Sequence, residues 1–487
     1  MIDTVKLENN RLLKIFSDKI YYKIVFLVFA LLRNVAFFTG PITTISLYLM
    51  TFWALGIFAY DFFIAKRLFA FKYSGLLFAF LVAYAITVLV NFDLNLLDNV
   101  KNFIYTLIQF FILCWIDLNA DKEKVKKEML KLNYVIIACI FFLSLCSLIV
   151  YIFSIPIEIN GSHYGFTNSM LFGVYTNPSP GGISSFISVV LFIVNLVLYK
   201  IQNVKITKGV KGYFIANLVV QFLYVSLCNT RGSELAWAAF IGAACVLLLK
   251  NKFRTMNKFS KAPLVFALVV AIVLSGSFFV ATTVTRKVMS YVPSTVQYIE
   301  FKLFPPDEDE LLENGVYEQP VIESLDNVKN LDYGFFSGRN IIWGSGLKVA
   351  KDNLVFGIGV RNIYDHTKMY LPYKHYTDAN GAGMHNGYLQ VLLSNGIVGL
   401  ALFLAILLSY GKHFVKYLFA QHALSNRYVI TSVISAFIAA MLFNNLVETR
   451  ILLNNALAPS IFWTYVAYGI YLLKDFIANG DKIEIKA

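Results

Sequence analysis

Residues 380–400 read NGAGMHNGYLQVLLSNGIVGL. A polar, glycine-rich approach ends at His385 and Asn386, and the chain then stays apolar through Tyr410, long enough to cross a bilayer as a helix. A histidine therefore sits at the mouth of a predicted transmembrane helix. Gly381 and Gly383 allow close approach of the backbone to a bound group, and free N–H groups at a helix start favour an anion. The positive helix end opposes a proton on the ring, so His385 is expected to serve as a neutral base unless a bound anion raises its pKa.

The rest of the chain makes that helix one of many. The 487 residues have a mean hydropathy of +0.64, with 58% apolar and only 15% charged residues. Such a composition excludes a soluble globule and indicates an all-α polytopic membrane protein. Apolar runs near 20–39, 42–64, 73–91, 100–117, 133–155, 181–199, 212–228, 233–249, 262–284, 387–410, 428–447 and 458–473 predict twelve spans. The first follows basic residues without a small-residue cleavage site and is expected to be retained. Three regions are expected: a transmembrane bundle over 1–284, a large loop over 285–384, and transmembrane helices with a tail over 385–487. The five cysteines lie in or beside apolar runs with no paired or metal-type spacing, so they read as packing residues.

Charge supplies the orientation. Most of the 42 Lys and Arg residues fall in the N-terminal arm, the tail and alternate short loops. The opposite short loops hold only Lys101, Arg231 and Arg450. By the positive-inside rule both termini are cytoplasmic and the large loop lies outside. The net charge of +13 then sits where topology and anionic lipid favour it, and no nucleic-acid partner is implied.

Within the large loop, FPPDEDELLENG (304–315) reads as a solvated acidic segment, and no metal site is predicted there. From Arg339 to Asp352, RNIIWGSGLKVAKD carries Ile342, Trp343, Gly346, Val349 and Ala350 on one helical face. That pattern predicts an amphipathic helix along the membrane surface, with Trp343 at headgroup level and Arg339 facing the apolar boundary or a bound group. CNTRGSELAW (228–237) places Arg231 and Glu234 in a tight turn, and NNLVETR (444–450) adds Glu448 and Arg450.

With this topology Arg33, Arg231, Glu234, Arg339, His385, Glu448 and Arg450 all fall toward the outer helix ends. Each alone could simply end a helix and reach water. Several cationic groups from distant segments suit something more: arginine keeps its charge near lipid and offers paired donors matched to phosphate. A cavity holding Arg231, Arg339 and His385 at the lipid boundary suits a diphosphate at the end of a lipid.

The string DNLVFGIGVRNIY (352–364), followed by MHNGYLQVLLSNGIVGL (384–400), resembles the signature of the bacterial O-antigen ligase and polysaccharide repeat-unit polymerase superfamily. GRNIIW (338–343) resembles the family's loop arginine and tryptophan, CNTRG its Ser-Arg-Gly turn, and FGVYTNPSPGG (172–182) its Gly-x-x-x-Asn-Pro-Asn segment. Thr230 stands in place of the usual serine, and Ser179 where asparagine is common. The resemblance implies a GT-C-like glycosyltransferase of the bacterial cytoplasmic membrane, acting at its outer face without a metal or other cofactor. It would take a glycan from an undecaprenyl diphosphate carrier and join it to an acceptor hydroxyl with inversion. Carried over, Arg231 and Arg339 bind the donor diphosphate and His385 deprotonates or orients the acceptor. Arg33, Glu234, Trp343, Asn386, Tyr388, Glu448 and Arg450 are further candidate substrate contacts. For Tyr388 the choice lies between stacking on a sugar and an interfacial-belt position. His366 and His375 carry no motif and read as surface residues.

The expected reaction is polymerisation of lipid-linked repeat units for a capsule, exopolysaccharide or O-antigen, with a flippase and a chain-length regulator as companions. Ligation of the same glycan to lipid A core or another final acceptor uses identical motifs. A composition rich in Lys, Ile, Asn and Phe suggests an AT-rich genome and leans toward the polymerase. A transporter or flippase is disfavoured, because it typically shows discontinuous helices and ionisable groups near the midplane, whereas here the charges crowd one surface.

Overall fold

The computed structural model describes residues 16–159, 161–167, 169–256, 262–304, 321, 323–324, 338–371, 383–420 and 425–481. Gly381, His375 and the acidic segment after Phe304 lie outside them. Helix dominates: every one of the twelve apolar runs contains one, and eight of the described helices are long and apolar enough to cross a membrane. At the remaining four runs stand Lys19–Leu32, Ser74–Val90, Leu96–Ile108, which continues through a π-turn to Leu113, and Leu457–Leu472. The chain is an all-α polytopic membrane protein with one small sheet.

Local chemistry sets where the helices begin. Asp18, Asp121, Asn177, Thr207 and Ser425 each place a side-chain oxygen on a free N–H of the first turn, satisfying donors that a helix cannot satisfy itself. Pro178 follows Asn177 at the first helical position, where its missing N–H costs nothing. Burial differs sharply between helices. Leu457–Leu472 is buried along almost its whole length and forms the centre of the bundle, whereas Pro41–Ile64 and the Ala262–Met289 helix lie at its rim. Side chains at the rim are apolar because their surroundings are lipid rather than water.

Three features depart from the sequence reading. First, the segment between the fifth and sixth runs folds as a three-stranded antiparallel sheet, Ile157–Ile159, Ser162–Thr167 and Met170–Gly173. Second, the ninth helix continues to Met289 and is followed by a further helix, Val292–Leu303, so a loop boundary at 285 falls within helical chain. Third, the Gly387–Ala420 helix is broken at Gly396, with φ 65° and ψ −169°. Its freed groups are occupied by protein. Ile358 N–H and Gly359 N–H donate to Leu393 O and Ser394 O at 2.9 and 3.0 Å, and Ile397 N–H donates to Leu354 O at 2.7 Å. The GIG of the 352–364 motif is thus a backbone clamp on the kink. A Cβ at Gly396 would lie 2.1 Å from Val355 O, and one at Gly357 2.4 Å from Leu393 O.

The helix Arg339–Asp352 forms over the predicted residues, but not with the predicted exposure. Ile342 and Val349 pack with Ile358, Ile363, Met384, Leu389 and Leu393 in a second apolar cluster. Trp343 donates its indole N–H to Met384 O at 2.8 Å rather than presenting it to headgroups. The apolar face therefore covers the first turns of the Gly387–Ala420 helix. This packing fixes the approach to His385.

Candidate active site

Helices starting at Pro178, Arg231, Gly387 and Leu457 and helices ending at Leu32, Cys228 and Asn444 meet at one end of the bundle around a cavity of about 900 Å³. The alternation of starts and ends is what an up-and-down arrangement of those runs requires. Arg33, Arg231, Arg339, Arg361 and Arg450 line the cavity with His385, against Glu448 and Asp365 as the lining carboxylates. The charge excess is strongly positive. Helix N-termini at Arg231 and Gly387 add to it.

Glu448 is the hub. Its carboxylate accepts from Arg339 Nη2 at 2.8 Å, lies 3.4 Å from His385 Nδ1, and stands 3.6 Å from Arg450 Nη2. Burial raises the cost of charging this carboxyl, but Arg450, His385 and Arg339 outweigh it and bring its pKa down from 4.5 to about 2. Burial likewise lowers the pKa of Arg450, with Glu448 acting against that shift. A carboxylate can only accept, so the proton shared with the ring sits on Nδ1. In the neutral ring Nε2 then carries the lone pair. Gly232 makes room for the hub, since a Cβ there would come within 2.7 Å of Glu448 Oε1.

The motif around His385 is built to hold that ring. His385 adopts φ +47°, a left-handed conformation that costs a non-glycine residue energy and that recurs at functional positions. Asn386 is a helix cap, its Oδ1 accepting from Tyr388 N–H and Leu389 N–H at 3.1 and 3.0 Å. Gly387 N–H donates to Asn445 O and Glu448 O at 2.8 and 3.1 Å, tying the histidine to the Glu448 loop. Gln390 Oε1 accepts from Thr449 Oγ1 at 2.9 Å and Met384 N–H at 3.4 Å, closing the loop from the other side.

Not every candidate reaches the cavity. Tyr388 turns into the bundle, its hydroxyl donating to Leu442 O at 3.0 Å and its ring beside Phe403, which suits neither sugar stacking nor an interfacial belt. Asn386 and Trp343 support the loop from behind. Glu234 is bound by Arg286 at 2.7 Å, and Arg286 also donates to Ser226 O. That pair pins neighbouring helices. Conversely, Arg361 lines the cavity and was not singled out, although it lies inside the 352–364 motif. Arg33 donates to Asn455, and Arg450 donates to the Ser179 hydroxyl, so Ser179 orients a cavity arginine. His366 is tied to Asn362 O at 2.9 Å.

Residues 216–404 match the protein-family model described as O-antigen ligase. No curated protein matches the chain. The O-antigen ligase match contains Arg231, Arg339, Arg361 and His385, while Arg33, Ser179, Glu448 and Arg450 come from outside it. The O-antigen ligase and polymerase superfamily is a class of membrane glycosyl-transfer enzymes. In this chain its matched region and the flanking helices supply one cavity between them.

Proposed function

We propose that the protein joins glycan repeat units carried on undecaprenyl diphosphate, at the outer face of the bacterial cytoplasmic membrane. The observation that carries this reading is the convergence of five arginines, His385 and the ionised Glu448 on one cavity. The acceptor hydroxyl oxygen forms a bond to the anomeric carbon as the bond from that carbon to the diphosphate oxygen breaks. The bonding pair leaves with the diphosphate, where Arg231 and Arg339 stabilise the developing charge. The hydroxyl proton passes to His385 Nε2, and Glu448 orients the ring through Nδ1 and supports the resulting imidazolium. Attack opposite the leaving group inverts the anomeric centre. Polymerase is preferred over ligase on the composition argument. The region between Leu303 and His385 is proposed as the outer segment that completes the cavity through Arg339 and Arg361.

Cells carrying His385→Ala are expected to accumulate single repeat units on the carrier and to lose the long-chain ladder. A normal ladder in that variant would remove the site. A wild type that makes no ladder but delivers single glycans to another lipid would keep the chemistry and make the protein a ligase.

A further inference from the structure

The small sheet has a face that the core does not use. Along Met170–Gly173 the side chains alternate, so Leu171 and Gly173 turn one way and Met170 and Phe172 the other. Leu171 is fully buried in the apolar core, and Gly173 is so close to Ser147 that a Cβ there would lie 2.1 Å from the serine Cβ. Met170 and Phe172 instead line the arginine cavity. Both are half-buried, and neither is part of the apolar core. The strand that carries them is pinned from behind: Val174 N–H donates to Ser147 Oγ at 3.1 Å, and the Tyr224 hydroxyl donates to Phe172 O at 3.2 Å.

The strand also runs between two turns that carry arginines. Just before its start Ser169 O accepts from Asn229 Nδ2 at 3.2 Å, and Asn229 leads into Arg231. Just past its end Val174 O accepts from Ala36 N–H at 2.9 Å and Thr176 N–H donates to Asn34 O at 2.8 Å, beside Arg33. Met170 and Phe172 thus present an uncharged, apolar surface to a cavity of strong positive charge, and a diphosphate makes no use of such a surface. A pyranose does. It has hydroxyls around its rim and a patch of C–H groups on its face, whose weakly positive hydrogens suit the negative face of an aromatic ring. Asn34, Thr176 and Asn229 line the cavity beside the strand, and their neutral polar groups match the hydroxyls. We propose that Met170–Gly173 is a sugar-binding wall, on which the Phe172 ring stacks against the donor sugar bonded to the diphosphate at Arg231. Phe172 is then a residue that selects the first sugar of the donor, with Met170 extending the apolar surface. This rests on the glycosyl-transfer reading above.

The test separates sugar from diphosphate. Phe172→Ala and Phe172→Leu remove the ring, and Phe172→Tyr keeps it. With undecaprenyl diphosphate bearing the repeat unit as donor, KM is expected to rise by about tenfold in Phe172→Ala, equivalent to ~1.4 kcal/mol. It should stay raised in Phe172→Leu and return to the wild-type value in Phe172→Tyr. The Kd for sugar-free undecaprenyl diphosphate, which reports an intact arginine cavity, should be the same in wild type and all three variants. A wild-type KM in Phe172→Leu would show that bulk alone matters and overturn the stacking. A parallel loss of affinity for the sugar-free lipid would make the strand a mere support, and that too would overturn the proposal. Binding also distinguishes the wall from the reading beneath it. If the glycan-bearing lipid binds more tightly than the sugar-free one, and Phe172→Ala abolishes that difference in a protein that transfers nothing, the wall stands and glycosyl transfer is refuted. Transfer indifferent to the ring would do the reverse.

Discussion

At the residue scale the interplay of Glu448 with its partners makes sharp demands. Its pKa is lowered on folding, so its contribution to stability is complete above the ordinary value of 4.5 and is lost as pH falls toward about 2. Glu448→Gln should lower stability at pH 7 by about 3 kcal/mol, because it leaves buried cations without their counter-charge. The difference in melting temperature between wild type and variant should shrink as the pH falls below 4.5. A difference that grows below pH 4.5 would contradict the ionised hub. Arg339→Lys and Arg231→Lys keep charge but lose the planar fork, and each is expected to cut transfer by roughly a hundredfold at normal expression. Wild-type rates in the double variant would mean that these arginines only terminate segments. Arg33, Arg231, Arg450, His385 and Glu448 were legible because charges at apolar helix ends are conspicuous, and Arg339 because it opens an amphipathic stretch, whereas Arg361 carries neither signal. Glu234 looked equivalent to Glu448 in sequence. What separates them is Arg286, more than fifty residues away, and periodicity carries no information about such a partner.

At the element scale the lesson concerns breaks. The apolar run after His385 reads as one straight helix, and Gly396 within it looks like an ordinary, mildly costly glycine. The structure places there a kink whose open backbone groups are closed by residues 354–359. Each half of the clamp is incomplete alone, so neither motif announces the pairing. Gly396→Ala should lower stability by well over about 1 kcal/mol, since alanine there meets both positive φ and a carbonyl at 2.1 Å. Because the kink also positions the turns beneath His385, transfer should fall with it. An unchanged melting temperature in that variant would count against the clamp. The Arg339–Asp352 helix was legible in extent but not in setting: an apolar face predicts burial, and only tertiary structure shows whether lipid or protein supplies it.

At the scale of the whole molecule, alternation of apolar runs and basic loops was enough to anticipate a helical bundle with its cavity at one end. The sheet over 157–173 escaped because its strands are too short for a period-two pattern to stand out. Sidedness rests on charge alone and is checked directly: Asp98→Cys, one helical turn before the cavity-lining Asn102, should react with an impermeant thiol reagent in intact cells, and Lys124→Cys should not. Labelling at Lys124 alone would put the cavity on the wrong side for an exported glycan.

The central claim is that His385 takes a proton while the arginine cavity holds a lipid diphosphate. The most direct measurement uses purified protein in liposomes with an undecaprenyl-diphosphate-linked repeat unit as the sole sugar source. Wild type should release undecaprenyl diphosphate and form a ladder of inverted linkages. His385→Gln can hold a hydroxyl but cannot accept its proton, and it should bind the same lipid with unchanged affinity yet form no ladder. A ladder from His385→Gln at a rate near that of wild type would contradict the proposed chemistry.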